Sequence, residues 1–367
     1  MKPKGKKICI VASSLGKGGA ERSSALLSIM LSDLGYEIYI VTVLDNIEYS
    51  YKGKLFNLGA FKKQNDNFFG RIGRLKKFKN FIKTNQIDLI IDNRSRVQTY
   101  REIILSKIIY AVPTIYVIHN FNTEKAFTKY KWINKWLYKN EYMTAVSKAA
   151  TGKFKNSYEL NQIRTIHNGF DFEDIKSLSN VETKLEIPEK FILFFGRIDD
   201  HHKNLKLLIE AYKLSELSKN NYKLLILGDG PDLEEVKAYA RGQNIDLSII
   251  FKGHILNPYV YVKRAKFTVL TSRFEGFPMV IPESLSLGTP VISVDCQSGP
   301  SEVIINKYNG LLVENYNPQE LANAFNSFIL DEDLYRMCSR NAAKSIDDFS
   351  MEAISASWEN MINQIIN

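Results

Sequence analysis

Two glutamates eight positions apart, Glu275 and Glu283, flank Pro278 and Pro282 in the stretch RFEGFPMVIPES. Pro282 fits only the first turn of a helix, so the spacing predicts a helix beginning near Met279 or Val280. Glu275 then stays in the preceding loop and Glu283 falls within about the first turn. Free backbone NH groups at such a start, around Phe277, Met279 and Val280, carry partial positive charge and attract anions. Two carboxylates there need another task. Cations come from FFGRIDDHHKN: Arg197 leaves a strand and Lys203 sits just before a helix. A planar fork and a mobile point charge suit a diphosphate. The alternative is a pair of surface salt bridges with Asp199 and Asp200, of little energetic value. His201 and His202 lack spaced partners for a metal and read as loop residues. His119 closes the apolar run IYVIH, where an imidazole can donate to a sugar hydroxyl or move a proton near neutral pH. The plain alternative is a satisfied polar residue.

SSLGKGGAERSS brings Gly16, Gly18 and Gly19 to a strand-to-helix turn, where bare backbone can approach a phosphate. Glu21 occupies the third glycine position of GxGxxG and no GK[ST] follows, so a dinucleotide cofactor is disfavoured. RTIHNGFD contains Asn168-Gly169, a turn signal with positive φ that also fits a hinge. The DxD spacing occurs once, at Asp331 and Asp333, where it reads as a helix cap. No cofactor and no divalent metal are expected.

These residues need elements to hold them. KKICIVASS, YEIYIVTVL, DLIIDN, PTIYVIHN and MTAVS are short apolar runs typical of buried parallel strands, separated by amphipathic segments such as AERSSALLSIMLSDLG. The pattern restarts with FILFFGRI, YKLLILGDG, SIIFKGH, FTVLTS and PVISVD. This predicts an α/β protein with two Rossmann-like domains, residues 1–170 and 187–349, joined by a linker over 171–186. A last helix, about 350–367, can pack on either domain. Ligands of such sheets bind at the carboxyl ends of strands, where the residues singled out above lie, apart from Asp331 and Asp333.

At 367 residues the chain is long enough for two cores. No apolar run approaches the roughly 20 residues of a membrane span. The basic N-terminus is no convincing signal peptide. Three cysteines without CxxC spacing suggest neither disulfides nor zinc, and a cytoplasmic setting is the default. The net charge of +9 is unevenly placed: residues 1–170 hold 29 Lys+Arg against 12 Asp+Glu, and the remainder is acidic. A basic half suits an anionic partner, whether nucleic acid, membrane surface or phosphorylated substrate. Nucleic acid is disfavoured because no binding motif accompanies the charge. RIGRLKKFKN and KYKWINKWLYKN mix Lys and Arg with Phe, Trp and Tyr, as interfacial helices do, or present a solvated basic face over an ordinary core stripe.

Taken together, GGAERS, HNGFD, FGRIDDHHKN, LGDGPDLEEV, SRFEGFP with Glu283 beyond it, GTPVIS and GPSEVI resemble glycosyltransferase family 4, retaining enzymes of the GT-B fold. The resemblance covers nearly the whole chain, with Glu275, Glu283, Arg197 and Lys203 as its specific part. GGAER and SGPSEVI are also similar to bacterial enzymes that extend lipid-linked or surface oligosaccharides. The resemblance implies two parallel sheets facing an interdomain cleft and a nucleotide diphosphate sugar, with a UDP-sugar favoured. Arg197 and Lys203 would neutralise the diphosphate, closed over by the Gly18-Gly19 backbone, and Glu283 would accept from ribose hydroxyls. Glu275 and the backbone of Gly276, Phe277, Pro278 and Met279 would grip the sugar, which His119 would approach from the other domain. A hexose or N-acetylhexosamine would pass to a saccharide acceptor, polyprenyl-diphosphate-linked in the narrower match, beside an anionic membrane. The competing readings are a nucleotide-sugar epimerase on the same scaffold and a catalytically silent nucleotide-sugar-binding regulator.

Overall fold

The computed structural model describes residues 5–16, 18–62, 68–181 and 187–366, which form two compact units. Met1–Gly169 and Met351–Asn367 make the first, and Phe170–Ser350 make the second.

The first unit is built on β1 (Lys7–Ala12), β2 (Glu37–Thr42), β3 (Lys54–Asn57), β4 (Leu89–Asp92), β5 (Thr114–Ile118), β6 (Tyr142–Ala145) and β7 (Gln162–Thr165). They pair in parallel in the order β3-β2-β1-β4-β5-β6-β7. β1, β4 and β5 are almost wholly buried, which explains their unbroken apolar sequences, because a parallel sheet is covered on both faces. The order reverses between β1 and β4, so the loops after these strands diverge and open a ligand site.

The final helix, Met351–Ile366, belongs to this unit and packs against the first helix, Gly19–Asp33. Ile354, Trp358, Met361 and Ile362 form its buried stripe, at the three-to-four spacing of one helical face. Asn168-Gly169 departs from expectation. Neither residue has a positive φ; Gly169 is instead packed closely, since a Cβ there would lie 2.8 Å from Met30 Sδ and that side chain would have to move. Asn168 Oδ1 accepts from Ser23 Oγ at 2.7 Å.

The second unit carries β8 (Phe191–Phe195), β9 (Lys223–Leu227), β10 (Ile249–Phe251), β11 (Thr268–Leu270), β12 (Val291–Val294) and β13 (Gly310–Val313). Their order, β10-β9-β8-β11-β12-β13, repeats the arrangement of the first sheet, with its reversal between β8 and β11. The interval expected as a linker is partly structured: Phe172–Ser179 is a helix capped by Asp171, whose side chain accepts from Asp174 N at 2.9 Å. It packs on the helices Tyr259–Arg264 and Val280–Ser286, and Asn257 Nδ2 donates to Leu178 O. Only Ile175 and Ser179 of its eight residues are buried, too few for an apolar period to be read. Residues 182–186 of that interval lie outside the described residues.

Because Trp358 is buried against the first unit, Trp358→Ala should cost about 3 kcal/mol of stability. A shift in the urea midpoint measures it, and an unchanged midpoint would show that the helix is not integral to that core.

Candidate functional site

In the second unit, the loops after β8 and β11 lie side by side because their strands are neighbours. Beyond β8, Asp199 caps a single helical turn, Asp200–Lys203, by accepting from His202 N at 3.1 Å. Asn204 turns the chain in a left-handed conformation (φ 52°) into the helix Leu205–Leu214. Asparagine tolerates this geometry better than most residues. Three bonds stitch this turn to the loop after β11. Arg273 N donates to His202 O at 2.8 Å, Thr271 Oγ1 to Lys203 O at 2.8 Å, and an Arg273 guanidinium nitrogen to Asn204 Oδ1 at 2.7 Å.

That stitching delivers Lys203 to Glu275, Nζ to Oε1 at 2.6 Å. Ser272 Oγ donates to the same oxygen at 2.6 Å. Glu275 is only 6% exposed. Burial alone would raise its carboxyl, but Lys203, His202 and the two hydrogen bonds outweigh burial and hold it below the usual range. His202, expected as a plain loop residue, instead bonds through Nε2 to Phe274 O at 2.8 Å, stacks on the Phe274 ring and comes within 3.8 Å of Glu275. Sequence spacing missed it because its partners are 72 residues away.

Arg197 is exposed after β8 and has no carboxylate partner among the described residues. The salt-bridge alternative for it does not form: Asp199 caps, and Asp200 accepts from Lys206 N at 3.0 Å. The helix after Glu275 runs Val280–Ser286 with Met279 as its N-cap, and Glu283 is buried in its first turn. Phe277 packs against Phe170 and Phe349. Ser298 Oγ bonds Gly276 O at 3.1 Å and fixes the backbone before Pro278. Asp331 caps a helix through Leu334 N at 3.0 Å, as its spacing suggested. Burial first, and then nearby Glu275, push the Cys296 thiol up to about 12.

The first unit's reversal point gathers the loops after β1, β4 and β5. Gly18 precedes the helix Gly19–Asp33 with φ 139°, and the Glu21 carboxylate folds over it where a Cβ would stand. Gly18 therefore satisfies both a backbone and a packing demand. An anion reaching this backbone would meet a carboxylate. After β4, Arg94 pairs with Asp92 (Nε to Oδ1 2.9 Å) and with Glu102 at 3.2 Å, and Tyr110 donates to Asp92 at 3.1 Å. All four are buried. The sequence signal was DNRSR, two arginines directly following an apolar strand, and its significance lay in the third dimension.

His119 follows β5 and lines a pocket with Ser13, Glu21, Asn93 and Arg96. Its Nε2 is buried without a hydrogen-bond partner among the described residues. The expectation of titration near neutrality is corrected. Burial first, then the Arg96 guanidinium, push the imidazole down to about 3, so the ring is uncharged at pH 7.

Replacing Lys203 by Met should cost about 3 kcal/mol at pH 7, because the buried Glu275 carboxylate loses its cation. The wild-type pair contributes stability above the ordinary carboxyl range and loses it as pH falls through the depressed Glu275 value. The gap between Lys203→Met and wild type should therefore narrow at pH 4. Urea midpoints at both pH values test this; equal gaps would contradict an ionised pair.

Two family profiles match the chain, Glycosyltransferase Family 4 over residues 17–174 and Glycosyl transferases group 1 over residues 179–345. A curated relative from Campylobacter jejuni, N-acetylgalactosamine-N,N'-diacetylbacillosaminyl-diphospho-undecaprenol 4-alpha-N-acetylgalactosaminyltransferase, is 28% identical over 357 residues, 92% of this chain and 94% of the relative. Lipopolysaccharide 1,6-galactosyltransferase of Escherichia coli is 37% identical over 184 residues, 46% of this chain and 49% of that protein. Among solved structures, Anabaena HepE in complex with UDP and glucose matches with a TM-score of 0.76 at 19% identity, covering 98% of this chain and 100% of that one.

Proposed function

The chain belongs to glycosyltransferase family 4, among the group 1 enzymes of GT-B fold, and on that premise we propose that it transfers a hexose or N-acetylhexosamine from a UDP-sugar to a lipid-linked saccharide in bacterial surface-glycan assembly. The observation that carries this reading is the Lys203–Glu275 pair at the reversal point of the second sheet, with Arg197 exposed on the same loop after β8 that carries Lys203. Both cations are assigned to the diphosphate. Lys203 has three donors, of which Glu275 occupies one, so the others remain for phosphate oxygens. Glu275 Oε2 and the backbone from Gly276 through Phe277 and Pro278 to Met279 are assigned to the sugar, and Glu283 to the ribose hydroxyls. Gly18 and Gly19 are assigned to an uncharged part of the substrates, since Glu21 opposes an anion there. The undecaprenol-linked substrate named for the Campylobacter jejuni relative supports the acceptor class.

Transfer with retention breaks the bond from the anomeric carbon to the diphosphate and forms one to the acceptor oxygen on the same face. The acceptor proton leaves with the diphosphate oxygen. Arg197 and Lys203 stabilise the developing phosphate charge, the task a divalent ion performs elsewhere, so we propose a metal-independent reaction. The Glu275 carboxylate favours the oxocarbenium-like centre. His119, uncharged, hydrogen-bonds a hydroxyl of the transferred sugar and delivers no proton. A panel of UDP-sugars with GDP-mannose as control, assayed with and without EDTA, should give transfer from a UDP-sugar in both conditions. Glu283→Ala should raise donor KM about tenfold, the loss of one to two hydrogen bonds. Donor binding without turnover on any lipid-linked acceptor would overturn the reading.

The membrane is the proposed setting. Helix Lys131–Tyr138 buries Ile133, Asn134, Leu137 and Tyr138 while Trp132 and Trp136 are 69% and 56% exposed on the other face. Lys107 lies 5.4 Å from the Trp136 ring and Lys129 lies 5.0 Å from Tyr130. Two exposed tryptophans one turn apart among lysines suit the headgroup layer of an anionic bilayer. In helix Phe68–Thr84, Lys76, Lys77 and Lys79 are exposed while Phe78 and Ile82 are buried. Binding to phosphatidylglycerol vesicles should fall with rising salt and drop about tenfold in the Trp132→Ala, Trp136→Ala double variant. Salt-insensitive binding, or none, would refute this setting.

A further inference from the structure

Three residues lining the pocket after β1, β4 and β5 each keep one buried side-chain atom without a hydrogen-bond partner among the described residues: Arg96 Nε, Asn93 Oδ1 and His119 Nε2. The first two side chains are held by their other atoms. Arg96 is 1% exposed, and its terminal nitrogens donate to Arg94 O at 2.9 Å and Val117 O at 2.7 Å. The rings of Tyr116 and Phe127 lie 5.9 and 5.4 Å from its guanidinium. Asn93 Nδ2 donates to Ser24 Oγ at 3.0 Å, and Ser24 Oγ spends its own proton on Ala20 O at 2.8 Å. That fixes which end of the Asn93 amide is the oxygen.

An unpaired buried atom is expensive, so three around one pocket call for a common partner. The cavity has a volume of about 40 Å³, space for a water or two, and a buried water bonds about two to four polar groups. Donors and acceptors then balance in one way. Arg96 Nε–H only donates and Asn93 Oδ1 only accepts. A water that accepts from Nε–H and donates to Oδ1 has one proton left, which an unprotonated His119 Nε2 takes. Were Nε2 protonated, two N–H groups would converge on one oxygen and the second water proton would lack an acceptor among the three. Charge acts in the same sense. Burial, and then the Arg96 guanidinium, keep the imidazole neutral, and that cation opposes a proton directed towards it. Of the other charged groups there, Arg94 is engaged by Asp92 and Glu102, and burial raises the Glu21 carboxyl.

We propose that the pocket binds one structural water that bridges Arg96 Nε, Asn93 Oδ1 and His119 Nε2 and so sets His119 in its Nδ1–H tautomer. The hydrogen bond at one ring nitrogen decides the protonation of the other. Arg96 and Asn93 are then positioning residues, acting on substrate only through the imidazole. On the transferase reading, from which this consequence follows, Nδ1–H is the donor left for the sugar hydroxyl.

Nitrogen NMR of the full chain labelled with ¹⁵N-histidine at pH 7 tests it. The chain has 5 histidines, and the signals lost in His119→Gln are those of His119. In wild type its Nδ1 should resonate as a protonated and its Nε2 as an unprotonated imidazole nitrogen. Arg96→Lys keeps the charge and removes Nε–H, and Asn93→Leu keeps the shape and removes the acceptor. Each should move the tautomer ratio about tenfold towards Nε2–H. A crystal structure of wild type should show one water about 2.7–3.2 Å from all three atoms, a readout independent of how the variants fold. The proposal is overturned by the Nε2–H tautomer in wild type, by a ratio unmoved in both variants, or by no water touching the three atoms. If no UDP-sugar is transferred while the water and the tautomer are found, the transferase reading fails and the water site stands.

Discussion

A nearly buried carboxylate stays ionised only where the chain supplies a cation, and Glu275 receives Lys203 from 72 residues away. Much in the second unit serves that encounter. β8 and β11 must be adjacent for their loops to meet, which needs a parallel sheet whose order reverses between them. Asn204 must adopt a left-handed turn to start the next helix, and Arg273 must hold Asn204 in it. Asp199 must cap the turn that presents Lys203. Ser272 shares the same oxygen, so the charge is fixed in direction as well as in place.

Both units use the same strand plan for opposite electrostatics. At the reversal of the second sheet, Arg197 is exposed without a carboxylate partner among the described residues and Lys203 pairs with Glu275. At the reversal of the first, Arg94 is engaged by carboxylates, Arg96 donates to backbone carbonyls, Glu21 intrudes and His119 is held uncharged. The first unit's excess of positive charge lies instead on exposed lysines such as Lys76, Lys77 and Lys79.

The architecture was largely legible in the apolar runs, because strands buried on both faces write themselves as short unbroken blocks such as FILFF. Pro282 located its helix from steric rules alone. Local signals failed where tertiary contact decides. Asn168-Gly169 looks like a turn, but the glycine serves packing against Met30. Phe172–Ser179 shows no period because a helix that buries two side chains needs none. His202 and the Asp92–Arg94–Glu102 network were missed because partners brought together by sheet topology leave no spacing in the chain. The pKa of His119 was misread for the same reason, since its burial, and then the Arg96 guanidinium beside it, arise only on folding.

The return of helix Met351–Ile366 to the first unit has a consequence for biosynthesis. The first unit is discontinuous, with the whole of the second interposed between its sheet and its last helix. A ribosome therefore completes the second unit's sequence before the residues that finish the first have been translated. Until Trp358 and Met361 emerge, the face of Gly19–Asp33 that they cover is open to water. The nascent first unit must carry that exposed apolar surface for about 180 codons, a window in which a chaperone is the natural cover.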